Sequence, residues 1–313
     1  MHRGAVIAAG AACLGTTFVA VVVFSGLSSG ATIAVGVLCL VGLVAIGLIT
    51  AEREPRKIVV DIGQGLLVGV LVALASIWVQ FEIQSSNEQS SEEQRLLLTL
   101  SLRQDLAGID LGGKDLEGLY LRGKDFDQAN LEGANLREAN LREAKLRGAV
   151  LTGARLEQAE LIEAKLNDRT DMSYAHGRGA YLTDLEGAGA DLHGARFPEA
   201  HLVGAHLERA FIENATMPGA DLSEASVEDA SASKVDLSEA RLVGAHLEGA
   251  DLYRAKLEHA DLAGSHLDGA FLEGANLDHA DLTGATLRGA YYDQSTIWPQ
   301  GFRPAPHGAT ARD

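Results

Sequence analysis

The sequence is poor in aromatic residues, in cysteine and in basic residues, and each shortage disfavours a class of protein. Aromatic residues make up only 5% of the 313 positions although 47% are hydrophobic, which disfavours an ordinary mixed core. The two cysteines, Cys13 and Cys39, both lie in apolar runs, which excludes a disulfide framework and a cysteine-based zinc site. Lys and Arg number 26 against 43 Asp and Glu, a formal charge of −17 that argues against direct nucleic-acid binding.

The negative charge is concentrated in one region. Residues 105–293 hold 35 acids and 18 bases, whereas the rest of the chain holds eight of each. Within that region, residues 171–293 hold 22 acids and eight bases, a net charge of −14. The acidity therefore belongs to one domain, and the distal part of that domain produces most of the negative field.

Long uncharged runs occupy the N-terminal part of the chain. No charged residue occurs within 4–51, and about 20 apolar residues suffice to cross a bilayer. We therefore predict three transmembrane α-helices, at 5–25, 31–50 and 62–81, with the lipid bilayer as a partner and a multi-pass location in the cell membrane. A cleaved signal peptide is the alternative for the first run, because Arg3 precedes it and small residues follow it.

Basic residues beside these runs predict the orientation in the membrane. Arg3, Arg53, Arg56 and Lys57 fall on one side, and Arg95 lies near the far end of the third run. Because cytoplasmic flanks are enriched in Lys and Arg, we expect a cytoplasmic N-terminus. Three crossings then make the C-terminal domain extracytoplasmic, and an even number would make it cytoplasmic.

A polar stretch, 84–105, follows the predicted membrane region 1–83. Ser90 and Glu93 have the spacing of a helix capping box, so the sequence predicts a polar linker that leads into a cap helix. Leucines of this helix are expected to cover the open end of the next domain. They are Leu96, Leu97, Leu98, Leu100 and Leu102.

A large apolar residue then returns at every fifth position. Thirteen such centres run through 106–166, and after a one-residue insertion twenty-five more run through 172–292, with alanine two residues before most of them. Representative centres are Leu131, Leu136, Leu141, Leu202, Leu252 and Leu282. Gly177, Gly187 and Ala232 depart from the pattern, so we expect weak coils there and a bend near the insertion.

The period of five dictates the architecture. On an α-helix, steps of five residues rotate by about 140°, so the centres would occupy every face. On a flat strand, an odd period would send successive centres to opposite faces. A short extended piece with Ala and Leu both pointing inward, followed by a corner, satisfies the period. Repeated corners close a coil, and successive coils stack at about 4.8 Å.

The repeat resembles the pentapeptide-repeat family, whose motif is A-(D/N)-L-x-x. A-N-L-E-G at 129–133, A-N-L-R-E at 134–138 and A-D-L-T-G at 280–284 match it as they stand. The resemblance implies an all-β, right-handed quadrilateral β-helix over 106–292, with four repeats per turn. The ending at 293–313 resembles a terminal cap, with Trp298 and Phe302 as the capping side chains before a disordered tail that starts at Arg303.

Histidines cluster in the acidic region. Eight of the ten lie between positions 176 and 279. With four repeats per turn, two surface columns are expected, which we call the histidine–acid ladder: His206, His246 and His266 in one, and Glu208, Glu228, Glu248 and Asp268 in the other. Three interpretations stay open, namely an ordinary polar surface, a pH-responsive face, and a metal-responsive face.

No phosphate loop, dinucleotide fingerprint or zinc-protease motif occurs, so we expect no enzyme activity and no cofactor. The leading interpretation is a non-enzymatic, membrane-anchored scaffold that presents an acidic β-helical surface to an unknown protein partner, without direct nucleic-acid binding. The resemblance implies an alternative, DNA mimicry directed at a topoisomerase. It also implies homodimer formation through the C-terminal end.

Overall fold

The computed structural model describes residues 74–82, 84 and 91–312. The chain divides into two compact units, Met1–Leu96 and Leu97–Asp313. The predicted transmembrane helices at 5–25 and 31–50, and most of the one at 62–81, lie outside the described residues.

In the first unit, residues 74–82 are helical (α1). Its apolar side chains are exposed, and Trp78 and Phe81 show 65% and 70% of their surface. Within the described ranges, no helix is both long enough and apolar enough to cross a membrane. The predicted spans therefore remain predictions from the sequence.

A second helix, α2, covers 91–102 and precedes the first coil. The prediction that its leucines cover this coil was largely wrong, because only Leu100 is buried, whereas Leu97, Leu98 and Leu102 are exposed. Successive helical residues rotate by about 100°, so closely spaced leucines cannot share one face. After the helix, the ammonium of the buried Lys124 donates to the carbonyl oxygen of Arg103 at 2.7 Å.

The repeat region is a β-helix with four repeats per coil. Along most of the β-helix, the residue before a centre forms a parallel bridge with the residue 20 positions later, as Asn130 does with Val150. The separation is 21 where a coil contains an extra residue, as between Asn276 and Ile297. Four such columns of bridges run along the coils, one on each face. This arrangement matches the fourfold count that the family resemblance implies.

The backbone hydrogen bonds explain the motif. In the repeat centred on Leu111, the N–H of Leu111 donates to Asn130 of the next coil, and the N–H of Gly113 donates to Glu132. The N–H of Lys114 closes a turn onto Leu111. The N–H that follows the centre, on Gly112, has no backbone acceptor and donates to the carboxylate of Asp110 at 3.1 Å. Asp or Asn before the centre thus accepts a hydrogen bond from the backbone N–H after the centre, which has no backbone acceptor in the coil.

Alanine and the centre fill the interior together. The representative centres are buried, from 0% exposed at Leu131 to 6% at Leu282. Alanines such as Ala129 and Ala134 are completely buried. Leucine burial stabilises by about 25 cal/mol per Å², but only stacked coils provide that burial, so each coil depends on its neighbours.

The two glycine centres are compensated by larger neighbours. A Cβ at Gly177 would overlap the ring of Phe197, which comes from the next coil and fills the vacant place. At Gly187, Leu185 replaces the usual alanine, and its Cδ2 lies 3.4 Å from the position of the missing Cβ. The expected weakness of these coils is therefore offset by packing.

The one-residue insertion does not interrupt the columns of parallel bridges between coils. From the pair Val150 and Asp171 to the pair Lys165 and Glu186, bridged residues are 21 positions apart, and the spacing then returns to 20. The extra residue is absorbed in one corner, where the hydroxyl of buried Thr170 donates to the carbonyl of Leu146 at 2.9 Å. No bridge is lost at the point where a bend was expected.

The C-terminal end forms an ordered cap. Strand β1 (Tyr291–Tyr292) pairs in parallel with strand β2 (Thr310–Ala311), and a 3₁₀ helix covers Ala305–His307. The ring of Trp298 stacks on Phe302 at 5.3 Å, and Phe302 stacks on His307 at 4.7 Å. Residues 303–312, expected to be disordered, are held because β2 satisfies edge groups of the last coil.

Candidate functional site

The histidine–acid ladder lies on one face of the distal coils. His206 bridges Ser226, Ser226 bridges His246, and His246 bridges His266, so the three histidines share a column with one serine between them. The acids follow two residues later in each coil, on the other side of an inward leucine or, at position 227, an inward valine. Glu208, Glu228, Glu248 and Asp268 have side chains that are 29%, 35%, 36% and 32% exposed.

Two of the histidines contact the acid of their own coil. His206 Nδ1 lies 3.3 Å from Glu208 Oε1, and His246 Nδ1 lies 3.2 Å from Glu248 Oε1. His246 also approaches Glu228 of the preceding coil, at 3.9 Å. Each imidazole is therefore placed to neutralise part of the negative column when it binds a proton.

The fourth coil of the ladder, which carries His266 and Asp268, is arranged differently. The ring of His266 stacks on that of His246, with centroids 4.7 Å apart and planes inclined by 15°. Asp268 instead accepts a hydrogen bond from the backbone N–H of Arg288 at 2.6 Å, and its other oxygen lies 3.7 Å from Arg288 Nε. The ladder is thus composed of two histidine–glutamate pairs and one stacked histidine.

Glu228, His246 and Glu248 form the tightest group within the ladder. One ligand atom from each lies within 4.8 Å of the others. The second carboxylate oxygen of Glu248 is buried and has no hydrogen-bond partner in the described structure. Imidazole nitrogen and carboxylate oxygen are ligands of Zn²⁺ and related divalent metals.

The same face has a different chemistry in the proximal coils. Lys145 Nζ lies 2.9 Å from Asp125, and Lys165 Nζ lies 2.9 Å from Glu186. The hydrogen bond from Lys145 lowers the pKa of the Asp125 carboxyl and raises the pKa of the lysine itself. In this part of the column two adjacent lysines lie between acids of the neighbouring coils, whereas the distal part places histidines beside a column of acids.

An open groove on a neighbouring face was not predicted from the sequence. It has a volume of about 520 Å³, and we call it the C-terminal groove. Its lining consists of three acids and two aromatic residues: Asp251, Tyr253, Phe271, Glu273 and Asp293. The signal in the sequence is that one acidic and one aromatic residue flank the centre in each of three stacked repeats, which becomes visible once the fourfold register is applied.

An arginine from the C-terminal segment borders this groove. The guanidinium carbon of Arg312 lies 3.4 Å from the ring centroid of Tyr291 and 5.4 Å from that of Phe271. Arg312 Nη1 lies 3.0 Å from Glu273 Oε1. The groove therefore ends at a cation held by an aromatic ring and a carboxylate.

Comparison with known sequences identifies the repeat. A profile of pentapeptide repeats matches eight copies, and these fall within six partly overlapping ranges: 105–137, 139–168, 188–223, 220–258, 233–265 and 255–291. Together these segments cover more than half of the 313 residues. No curated protein gives a significant match to the chain.

Several solved structures are similar to the repeat region. HetL, a pentapeptide repeat protein involved in heterocyst differentiation regulation in the cyanobacterium Nostoc sp. strain PCC 7120, is 31% identical. The match covers 61% of this chain and 90% of HetL, with a TM-score of 0.36. The pentapeptide repeat protein alr5209 from Nostoc PCC 7120 is 38% identical over 36% of this chain and 84% of its own, with a TM-score of 0.25.

QnrB1, a plasmid-mediated fluoroquinolone resistance protein, is 19% identical in its full-length form, over 61% of this chain and 94% of its own, with a TM-score of 0.27. These are likenesses of the repeat region to other repeat proteins. The segments that the profile matches include the coils of the histidine–acid ladder and most of the C-terminal groove. Because that profile matches more than half of its residues, the chain belongs to the pentapeptide repeat family.

Proposed function

We propose that this protein is a non-enzymatic, membrane-anchored scaffold whose distal coils present an acidic β-helical surface to a protein partner. The observation that carries the proposal is the column Glu208, Glu228, Glu248 and Asp268, which repeats one carboxylate per coil on an exposed face. Carboxylates at the ladder spacing of about 4.8 Å produce a strong local field, which favours a partner with a matching basic surface.

Membrane attachment belongs to the proposal and rests on the uncharged runs of the sequence. The exposed apolar side chains of α1, Trp78 and Phe81 among them, support it, because exposed rings of this size favour a lipid or protein environment. A reporter fused after Asp313 tests the orientation, and an extracytoplasmic signal is expected. Recovery of the full chain in the aqueous fraction without detergent would contradict the anchor.

The acidic surface is tested by cross-linking in cells. The full chain with a photo-reactive residue in place of Ser226 is expected to capture a protein partner. The triple variant Glu208→Gln, Glu228→Gln, Glu248→Gln should lose that capture. The matched control, Glu132→Gln, Glu138→Gln, Glu163→Gln, removes the same charge from the proximal coils and should keep it. Equal capture by both triple variants would overturn the proposal.

DNA mimicry is the alternative that the family resemblance implies. The net charge of −14 over 171–293 favours it, since duplex DNA also presents closely spaced negative charge. It requires a cytoplasmic repeat domain. Inhibition of DNA supercoiling by a purified topoisomerase at low concentrations of the full chain would support it, and an extracytoplasmic C-terminus would eliminate it.

A metal-responsive ladder is the second candidate, favoured by the group Glu228, His246 and Glu248. Ligand atoms around tetrahedral Zn²⁺ are about 3.4 Å apart. The distances from His246 Nδ1 to Glu248 and Glu228, 3.2 and 3.9 Å, are near this value, and the ligand atoms of the whole group lie within 4.8 Å, so metal binding requires the glutamates to draw closer together. Calorimetric titration of the full chain with Zn²⁺ is expected to show a site that His246→Gln removes. His201→Gln, on another face, is the control, and identical titrations would exclude the site.

A further inference from the structure

The C-terminal groove combines acidic and aromatic groups in one place. Asp251 and Phe271 succeed one another in a column of bridged residues, and Phe271 is followed by Tyr291. Tyr253, Glu273 and Asp293 occupy the column two residues later in the same coils. Each of the three coils therefore places one aromatic ring and one carboxylate side by side across the two columns.

The protein's own arginines show which ligand this pattern accepts. Arg312 lies over the ring of Tyr291 and contacts Glu273, whose side chain is only 17% exposed. At the other end of the groove, the guanidinium of Arg254 lies 5.0 Å from the ring centroid of Tyr253. A planar guanidinium can stack on a ring while it donates to a carboxylate, and an ammonium cannot do both equally well.

The middle of the groove also combines rings with carboxylates, and its volume of about 520 Å³ leaves space for a further side chain. Its five lining residues include three carboxylates and no base. The Ser295 hydroxyl and the backbone N–H groups of Gly274 and Ser295 donate to Asp293 and lower the pKa of its carboxyl. The Asp293 carboxyl therefore remains ionised over a wide range of pH.

We propose that the C-terminal groove binds an arginine side chain from a basic segment of a partner protein. The incoming guanidinium stacks on Phe271 and pairs with Glu273 and Asp251, and it displaces Arg312 from Glu273. The proposal rests on the proposed function, because it specifies the chemistry of the partner that the acidic surface receives.

The C-terminal segment that carries Arg312 is held by few backbone hydrogen bonds, so a ligand can displace it. Strand β2 has only two residues, and few backbone bonds hold it, among them Thr310 N–H to Ala290 and Arg312 N–H to Tyr292. Arg312, on this short strand, thus competes with an incoming arginine for Glu273. Its release leaves the coils intact, because the closing contacts of Trp298 and Phe302 lie earlier in the chain.

Binding is measured by fluorescence anisotropy with the full-length chain. The probe is a labelled peptide of alternating glycine and arginine, with lysine and citrulline versions as controls. We expect the arginine peptide to bind about tenfold more tightly than the lysine peptide, and the citrulline peptide to bind least. The affinity for arginine should fall with added salt.

Three variants test which residues bind the arginine peptide. Glu273→Gln and Phe271→Leu should each weaken arginine-peptide binding about tenfold. Arg312→Gln should strengthen it severalfold, because the competitor is lost. Glu132→Gln removes one exposed charge on the same face in the proximal coils and should change nothing. Circular dichroism of each variant verifies that the coils are intact.

Equal binding of the arginine and lysine peptides, or unchanged binding to Glu273→Gln, would overturn the groove proposal. Weaker binding to Arg312→Gln would also overturn it, because Arg312 would then assist rather than compete. The wider function is judged separately by cross-linking at the ladder. If capture there persists in Glu273→Gln while the peptide results fail, the scaffold function stands and the groove proposal falls.

Discussion

Thr170 and Thr296 hold equivalent positions in two corners of the β-helix. Each hydroxyl donates at 2.9 Å to the carbonyl oxygen of the leucine 24 residues earlier, Leu146 and Leu272 respectively. Each also accepts the N–H of the residue three positions before it, Asn167 at 3.0 Å and Asp293 at 3.1 Å. The two corners therefore accommodate an extra residue by the same hydrogen bonds.

Replacement of Thr170 by valine should destabilise the coils. The change keeps the shape but removes the acceptor of the Asn167 N–H, and a donor left unsatisfied in a partly buried corner costs about 1–3 kcal/mol. Chemical unfolding followed by circular dichroism measures the loss. Thr170→Ser keeps the hydroxyl and is expected to retain most of the stability, so equal losses in both variants would contradict the hydrogen-bond explanation.

The pair Gly177 and Phe197 should behave as one packing unit. Phe197→Leu leaves a void, which costs about 1 kcal/mol or more, and Gly177→Leu alone overlaps the Phe197 ring and costs about 1–3 kcal/mol. The double variant restores a leucine at both centres and should be more stable than the sum of the single changes predicts. Unfolding midpoints of the four proteins test this, and strict additivity would disprove the coupling.

Ser265 offers a stabilising substitution. It occupies a position that alanine holds in most repeats, it is completely buried, and its hydroxyl has no hydrogen-bond partner in the described structure. Ser265→Ala should therefore raise the free energy of unfolding by about 1 kcal/mol. Ser223→Ala is the control and should not stabilise, because the Ser223 hydroxyl donates to Asp221. A lower melting temperature for Ser265→Ala would contradict the prediction.

Stability should depend on pH through the lysine–aspartate pairs. Lys145 lowers the pKa of Asp125, so this acid stabilises the fold above its unfolded pKa of about 3.9, and the contribution is lost as the pH falls through the folded value. The raised pKa of Lys145 stabilises below about pH 10.4 and is lost as the pH rises through the folded value.

The substitution Lys145→Met should therefore reduce the dependence of stability on pH at both ends of the range. Urea midpoints from acidic to alkaline pH, compared with those of the unchanged chain, measure the difference. Lys234→Met removes the same charge from a turn in the distal coils and is the control. A Lys145→Met profile that parallels the original would refute the role of the pair.

The repeat was predictable because its information is local. A centre at every fifth position excludes both a helix and a flat strand, so a coiled extended chain follows from the sequence alone. The columns of the ladder could then be assigned once the fourfold count was supplied by the family resemblance. The acids and rings around Leu252, Leu272 and Tyr292 were equally present in the sequence, but they form one groove only when residues 20 positions apart are read as neighbours.

The cap helix and the C-terminal segment were less predictable. The burial of the helix leucines depends on which face of the helix they share, and the order of the C-terminal segment depends on the strand with which it pairs. Leucines at 96–102 looked like a cover, yet helical rotation leaves only Leu100 buried. Residues 303–312 lack the repeat, and they are ordered because the last coil has edge groups that β2 satisfies.

The coiling of the chain around an apolar axis and the acidity of its distal part can be read from the amino-acid order, because the period and the charge are properties of that order. Which carboxylate contacts which histidine, how Phe197 fills the place of Gly177, and which groups Arg312 contacts become known only from the packed coils. These contacts join residues far apart in the chain, and their distances are set by the stacking of coils, which no local pattern encodes.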